Sequence, residues 1–118
     1  MNDEQIPTTG KFAVLVIDMF HYDEDEDFRV GWFPGLEAAR EYARRRTRHT
    51  VEENRPASTS PEELRDRCFD FGEDCKVVGD SYAAFQELDF FIAHPATPEE
   101  TDYIALERQW DIHALPGI

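Results

Sequence analysis

The chain has 118 residues, 26 of them acidic against 12 basic, for a formal net charge of −14. That length allows one domain with a modest core, and its share of apolar and aromatic residues argues against disorder. The acidity disfavours sequence-independent binding to nucleic acid, because the mean field repels phosphates, and no apolar run is long enough for a membrane span.

The opening residues Met1, Asn2, Asp3 and Glu4 are polar and acidic, unlike a secretory leader. The expectation is a soluble cytoplasmic protein, in which Cys68 and Cys75 are reduced thiols rather than a disulfide. The bases are lopsided, ten Arg against two Lys. Residues 1–10, with Pro7 and Gly10, read as a loose lead-in.

From Lys11 to Phe20 both side-chain parities are apolar: Phe12, Val14, Val16 and Phe20 on one, Ala13, Leu15, Ile17 and Met19 on the other. A strand with one wet face would alternate, so this one is expected to be covered on both faces, at least in part, and to lie centrally. Residues 28–33 put Phe28, Val30 and Trp32 against Arg29 and Gly31, a one-sided pattern that suits an edge strand. Between them Asp23, Glu24, Asp25, Glu26 and Asp27 repel one another and belong in water at a hairpin tip.

Pro34 and Gly35 break the extended run. A helix is predicted from about Leu36 to Glu53, with a narrow stripe of Leu36, Ala39, Ala43, Thr47, Thr50 and Val51. Asn54 to Ser60 is a loop by composition. Ser60, Pro61, Glu62 and Glu63 make a helix start, with serine as cap, proline at the first helical position and glutamate reaching back. Leu64, Cys68 and Phe71 line one side of that helix, and Gly72 stops it.

A third strand is predicted over Cys75–Gly79. Asp80 and Ser81 can cap a following helix over 82–93, with Tyr82, Phe85, Leu88 and Ile92 on one side; Phe90, Phe91 and Ile92 alone would also suit a strand, and the helix is preferred. Thr97, Pro98, Glu99 and Glu100 repeat the start signal. They predict a last helix to about Trp110 or Ile112, with Tyr103, Leu106 and Trp110 along one side. The order β-β-α-α-β-α-α describes an α+β domain: a small three-stranded sheet, order 2-1-3, with helices packed on it.

With these elements placed, the chain resembles small bacterial proteins of unknown function. Their first strand ends in Phe-His-Tyr before an acidic turn, matched by Phe20, His21 and Tyr22 ahead of Asp23 to Asp27. They carry a later Phe-Gly-Glu-Asp, matched by Phe71, Gly72, Glu73 and Asp74. The resemblance runs from about residue 11 to 90, leaves the last helix uncovered, and implies a shared fold with no activity attached.

The chemistry on offer is sparse. Asp23, Asp25 and Asp27 are spaced like the first ligands of a calcium loop, but Phe28 stands where glycine is needed and Pro34 where a bidentate glutamate is needed. A solvated tip is the better reading. His21, beside five carboxylates, should favour its charged form. Asp18 interrupts an apolar strand, so it needs a donor or its pKa rises. It is either a paired carboxylate at the sheet rim or a perturbed acid in a cleft beside His21.

Arg40, Arg44 and Arg48 recur every four residues and form a ridge, widened by Arg45 and Arg46. Such a row suits phosphate or carboxylate recognition. Glu37 and Glu41 stand at pairing distance, which favours a solvated face that offsets the acidic hairpin. Cys68, Cys75, His94 and His113 have no zinc spacing, and Cys68 sits on the apolar side of its helix. No phosphate-cradling glycine loop, nucleophile elbow or zinc-protease pair is present.

The expectation is a small acidic interaction domain without catalytic activity or a cofactor. It would meet a protein partner or a second copy through the C-terminal helix, where Tyr103 and Trp110 stand outside the compact part. The alternatives are an acidic inhibitor or immunity-type protein that blocks a basic partner by charge, and a small-ligand pocket or enzyme site near Asp18 and His21.

Overall fold

A computed structural model describes residues 12–20 and 27–116. The predicted lead-in, most of the acidic tip and His21 lie outside the described residues.

Strand β1 (Phe12–Asp18) pairs antiparallel with β2 (Phe28–Phe33), Val14 facing Val30 and Val16 facing Phe28. Its other edge pairs antiparallel with β3 (Glu73–Val77), Val14 facing Val77 and Val16 facing Cys75. The doubly apolar strand is therefore central. Val14 and Val16 are fully buried and Leu15 and Ile17 half-buried, so the two faces are unequally covered.

The class is α+β, but the sheet has four strands rather than three. A short β4 (His113–Ala114) joins the free edge of β2, giving the order β3-β1-β2-β4. Two residues are too few to show alternation. The strand exists because the chain turns back at Asp111, whose φ of 55° is left-handed, and the Leu115 amide then reaches the Arg29 carbonyl at 2.7 Å.

Strand β3 also begins two residues before its predicted start. The paired β-branched Val77 and Val78 favoured the later span, yet Val78 already lies in the turn after the strand. The acidic Glu73 and Asp74 are tolerated within it because each has a donor: Arg46 for Glu73 and the Phe85 amide for Asp74.

Helix α1 (Leu36–Asn54) is the element that the rest packs against. Ala39, Ala43, Thr47, Thr50 and Val51 are buried on it as the stripe required, joined by Tyr42 and Arg48 from outside the stripe. Its small side chains let it lie close on the sheet. Its first half forms one core with Val14, Val16, Val30, Phe33, Cys75 and Val77, to which Leu106 and Ile112 are added.

A second core takes Val51 at the far end of α1. Leu64 and Cys68 come from α2 (Pro61–Phe71), Ala84 from a 3-10 turn (Ala84–Glu87), and Leu88, Phe91 and Ile92 from α3 (Leu88–Ala93). Much of the helical layer thus packs on α1, not on the sheet. Burying a ring the size of Phe33 or Phe91 contributes about 2–3 kcal/mol each.

The start of α2 follows its signal. Ser60 Oγ accepts from the Glu63 amide at 3.1 Å, while the Glu63 carboxylate takes the Thr59 amide and hydroxyl at 2.7 and 2.6 Å. Helix α2 stops at Gly72 as expected, but its last residue departs from expectation. Phe71 is not core; it stacks on Phe20 at the surface. Gly72 is buried, and a Cβ there would stand 2.7 Å from the Cys68 carbonyl oxygen, so glycine is needed for the close approach.

The predicted helix over 82–93 is shorter. Asp80 holds the Tyr82 amide and Ala83 bridges to Lys76, so the chain stays extended before it winds. The last helix divides too. Thr97 and Glu100 cap each other around a 3-10 turn (Glu99–Thr101), and α4 (Tyr103–Trp110) starts only after Asp102 accepts from the Ala105 amide. Helix α4 does not stand outside the compact part. Leu106 is 6% exposed and shares the first core, which anchors the helix.

Candidate functional site

Asp18 ends β1 opposite Glu73, and its Oδ1 accepts from the Phe20 amide at 2.9 Å. That places it at the sheet rim as a turn-forming carboxylate. His21 lies outside the described residues, so no cleft shared with Asp18 is on view.

The arginine ridge faces partners within the fold rather than open solvent. Arg40 grips Asp80 with two hydrogen bonds of 3.1 Å, a fork-on-carboxylate pair. Arg44 spans Glu41 at 2.8 Å and Glu87 at 3.2 Å, with its guanidinium over the Tyr82 ring. The Tyr82 hydroxyl itself bonds to Glu87. Arg48 is only 6% exposed; it donates to the His94 carbonyl and lies 4.8 Å from the Phe91 ring centroid. Arg45 takes Glu41 and the Asp102 carbonyl.

Arg46, off the spacing of the ridge, is the hub. It donates to Glu73 at 3.0 Å and to the Tyr42 hydroxyl at 2.7 Å, and lies over the rings of Tyr103 and Phe28. Burial works against its charge, but Tyr42 and Glu73 outweigh that and raise its pKa. Sequence reasoning saw Arg46 only as a widening of the ridge, because Glu73 comes from a strand 27 residues on, although Tyr42 stands four residues back on the same helix.

Tyr103 and Trp110 are half-buried and turned towards the first core, Tyr103 edge-on to Tyr42 at 5.8 Å and Trp110 edge-on to Phe33 at 6.2 Å. The large apolar side chain that α4 leaves exposed is Ile104.

Among the described residues no group of three His, Cys, Asp or Glu is placed to hold a metal ion. Cys68 and Cys75 are free, buried, and in different cores. Burial pushes their thiols up to about 11 and about 12 respectively, away from thiolate chemistry at neutral pH. His94 stacks on Phe90, and His113 pairs with Asp111 at 3.0 Å.

What the structure brings together instead is an aromatic and acidic patch where β1 ends beside α2. The Met19 amide donates to the Gly72 carbonyl at 2.9 Å and draws the two elements together. Phe20 and Phe71 stack with ring centroids 5.4 Å apart, yet stay 56% and 49% exposed. Phe69, two positions before Phe71 and so on the other side of α2, is exposed separately, edge-on to Phe85 with the Arg65 guanidinium over its ring. Asp66 and Asp70 are exposed on the same helix, and neither forms an ion pair with a described residue. Phe69 could have been flagged from sequence, since it breaks line with Leu64 and Cys68; the pairing of Phe20 with Phe71 had no local signal.

No protein-family model, curated protein or solved structure matches the chain. Among the described residues no helix is long and apolar enough to cross a membrane.

Proposed function

We propose that this chain is a small acidic protein-binding domain without catalytic activity, and that Phe20 and Phe71 form the centre of its docking face. The observation that carries the reading is the exposed Phe20–Phe71 stack beside the uncompensated carboxylates of Asp66 and Asp70. Rings held at the surface anchor interfaces, and the surrounding charge selects the partner.

The partner is a basic protein segment. Arginine stacks on aromatic faces and pairs with carboxylates, and the patch offers both. An inhibitor or immunity-type protein that covers a basic surface would use the same chemistry. The net charge of −14 and the internal pairing of the α1 arginines speak for protein over nucleic acid as partner. Two free, buried cysteines fit a reducing cytoplasm. Helix α4 stays outside the docking face, since Tyr103 and Trp110 pack against the core.

The test compares the wild type with Phe71→Ser as baits for basic proteins in native lysate, at low and at high salt. Identified partners that are lost on Phe71→Ser and released by salt support the reading. Partners retained by the variant, or indifferent to salt, refute it.

A further inference from the structure

The face of the sheet turned away from α1 carries a second arrangement, independent of the protein-binding reading. Side chains alternate along β1, so Leu15 points opposite to the buried Val14 and Val16. The register sets Arg29 of β2 beside Leu15 on one side and Lys76 of β3 beside it on the other. The three form one row across three strands, with the two cations about 10 Å apart at the backbone. The turn and 3-10 segment after β3 close one side of the row through Gly79, Tyr82 and Gln86. They leave a depression of about 420 Å³, a size suited to a small ligand.

Most arginines of the fold are paired, while Arg29, like Arg48, Arg67 and Arg108, forms no ion pair with a described residue; Arg29 differs in standing beside a second such cation over a depression. Arg40, Arg44, Arg46, Arg55 and Arg65 each have a carboxylate within the fold. Arg29 and Lys76 form no ion pair with any described residue, and Arg29 Nε is shut off from water without an acceptor. The acid that lines the depression, Asp80, has both carboxylate oxygens on Arg40. Asp74, two residues back on the face of Lys76, has its Oδ1 on the Phe85 amide. Asp27, two residues before Arg29, is the other acid on this edge, and its Oδ1 is buried there as well. Lys76 lies within electrostatic reach of the Asp74 carboxylate but short of an ion pair, so in a chain of net charge −14 two cations without a carboxylate in ion-pair contact among the described residues flank an apolar floor.

The geometry points to a binding site for a short dicarboxylate, one head on the Arg29 guanidinium, the other on the Lys76 ammonium, with its methylene body over Leu15. The guanidinium fork matches a carboxylate with two parallel bonds, and the ammonium offers a second, freely rotating set of donors. The apolar floor separates an organic dianion from inorganic phosphate, which has no body to lay on it.

The experiment is an NMR titration of the isotope-labelled full chain with glutarate, butyrate and inorganic phosphate, following the amides of Leu15, Gly79 and Tyr82. Glutarate is expected to give saturable shifts and the tightest binding, weakened about tenfold or more by Lys76→Gln and likewise by Arg29→Gln. Lys76 is exposed and the Arg29 side chain makes no hydrogen bond with a described residue, so both variants are expected to keep the fold, checked by an unchanged melting temperature. Three results overturn the site: no saturable shifts with glutarate, glutarate affinity unchanged in Lys76→Gln, or phosphate binding as tightly as glutarate.

Discussion

The Arg46 guanidinium donates to the Tyr42 hydroxyl at 2.7 Å, and that hydroxyl donates in turn to Glu107 of α4 at 2.7 Å. Tyr42 is fully buried, so this relay is where α1, α4 and, through Glu73, strand β3 are joined by polar contacts inside the core. Burial pushes the Tyr42 hydroxyl pKa upward, which Arg46 opposes and Glu107 reinforces, so it stays protonated and able to donate. Tyr42→Phe is expected to cost about 1–2 kcal/mol. Arg46→Met, which strands Glu73 and the hydroxyl together, is expected to cost about 3 kcal/mol. Urea unfolding of both variants measures the two losses, and a Tyr42→Phe variant as stable as the wild type would remove the relay from the account.

Glu52 ties the end of α1 to the segment after α3. It pairs with Arg55 at 2.8 Å and accepts the Ala96 amide at 3.1 Å. Burial alone would raise its pKa, but Arg55 and the Ala96 amide together hold it below the ordinary carboxylate value. A carboxyl more acidic folded than unfolded contributes stability above its unfolded pKa and loses it as pH falls through the folded one. Glu52→Gln is therefore expected to be about 1 kcal/mol less stable than the wild type at neutral pH. The gap should close below about pH 4. Melting temperatures of the two proteins from pH 7 down to pH 3 test this; a gap that is constant with pH contradicts it.

The two thiols should be silent until the fold opens. With the Cys68 and Cys75 thiols pushed up to about 11 and about 12 by burial, a thiol reagent at mildly alkaline pH is expected to leave both unmodified in the native protein. Both should react in denaturant. Rapid labelling of either cysteine under native conditions would show that its core is more open than the packing of Cys68 against Val51 and Leu64, or of Cys75 against Val14 and Val16, allows.

Gly72→Ala tests the junction of α2 and β3. The added methyl would stand 2.7 Å from the Cys68 carbonyl oxygen and 3.3 Å from Thr50 Oγ1, which also accepts the Glu73 amide. Helix end, strand start and α1 meet there, so none of them can give way alone. A loss of about 2 kcal/mol is expected, read from denaturant unfolding. A neutral substitution would mean that the helix end can shift without cost.

How much of this was legible beforehand depended on the range of the interaction. The doubly apolar β1 announced a central strand, and the Ser60 and Pro61 start announced α2, because both signals sit in a few adjacent residues. The arginines of α1 were visible as a ridge, but their acceptors Asp80, Glu87, Glu73 and the His94 carbonyl lie 27 to 46 residues away. No spacing rule on one helix reveals such partners, so a row that suits anion recognition turned out to hold the fold's own carboxylates and a carbonyl. Phe71 has helical spacing from Leu64 yet faces out, because a partner at the surface, Phe20, competes with the core for it. For Asp18, the strand-end position was legible and the hydrogen bond to its own turn was the less conspicuous solution.

Helix α1 is the common wall of two interiors, Ala39, Tyr42 and Ala43 closing one and Val51 the other. The loop at 55–60 looks like a seam between halves, yet a chain cut there would leave the later segment with a greasy flank and no lid. Neither fragment could stand as a module by itself. Damage admitted at α2 or α3 reaches the strands through their shared wall, and the two interiors are expected to melt in one cooperative transition.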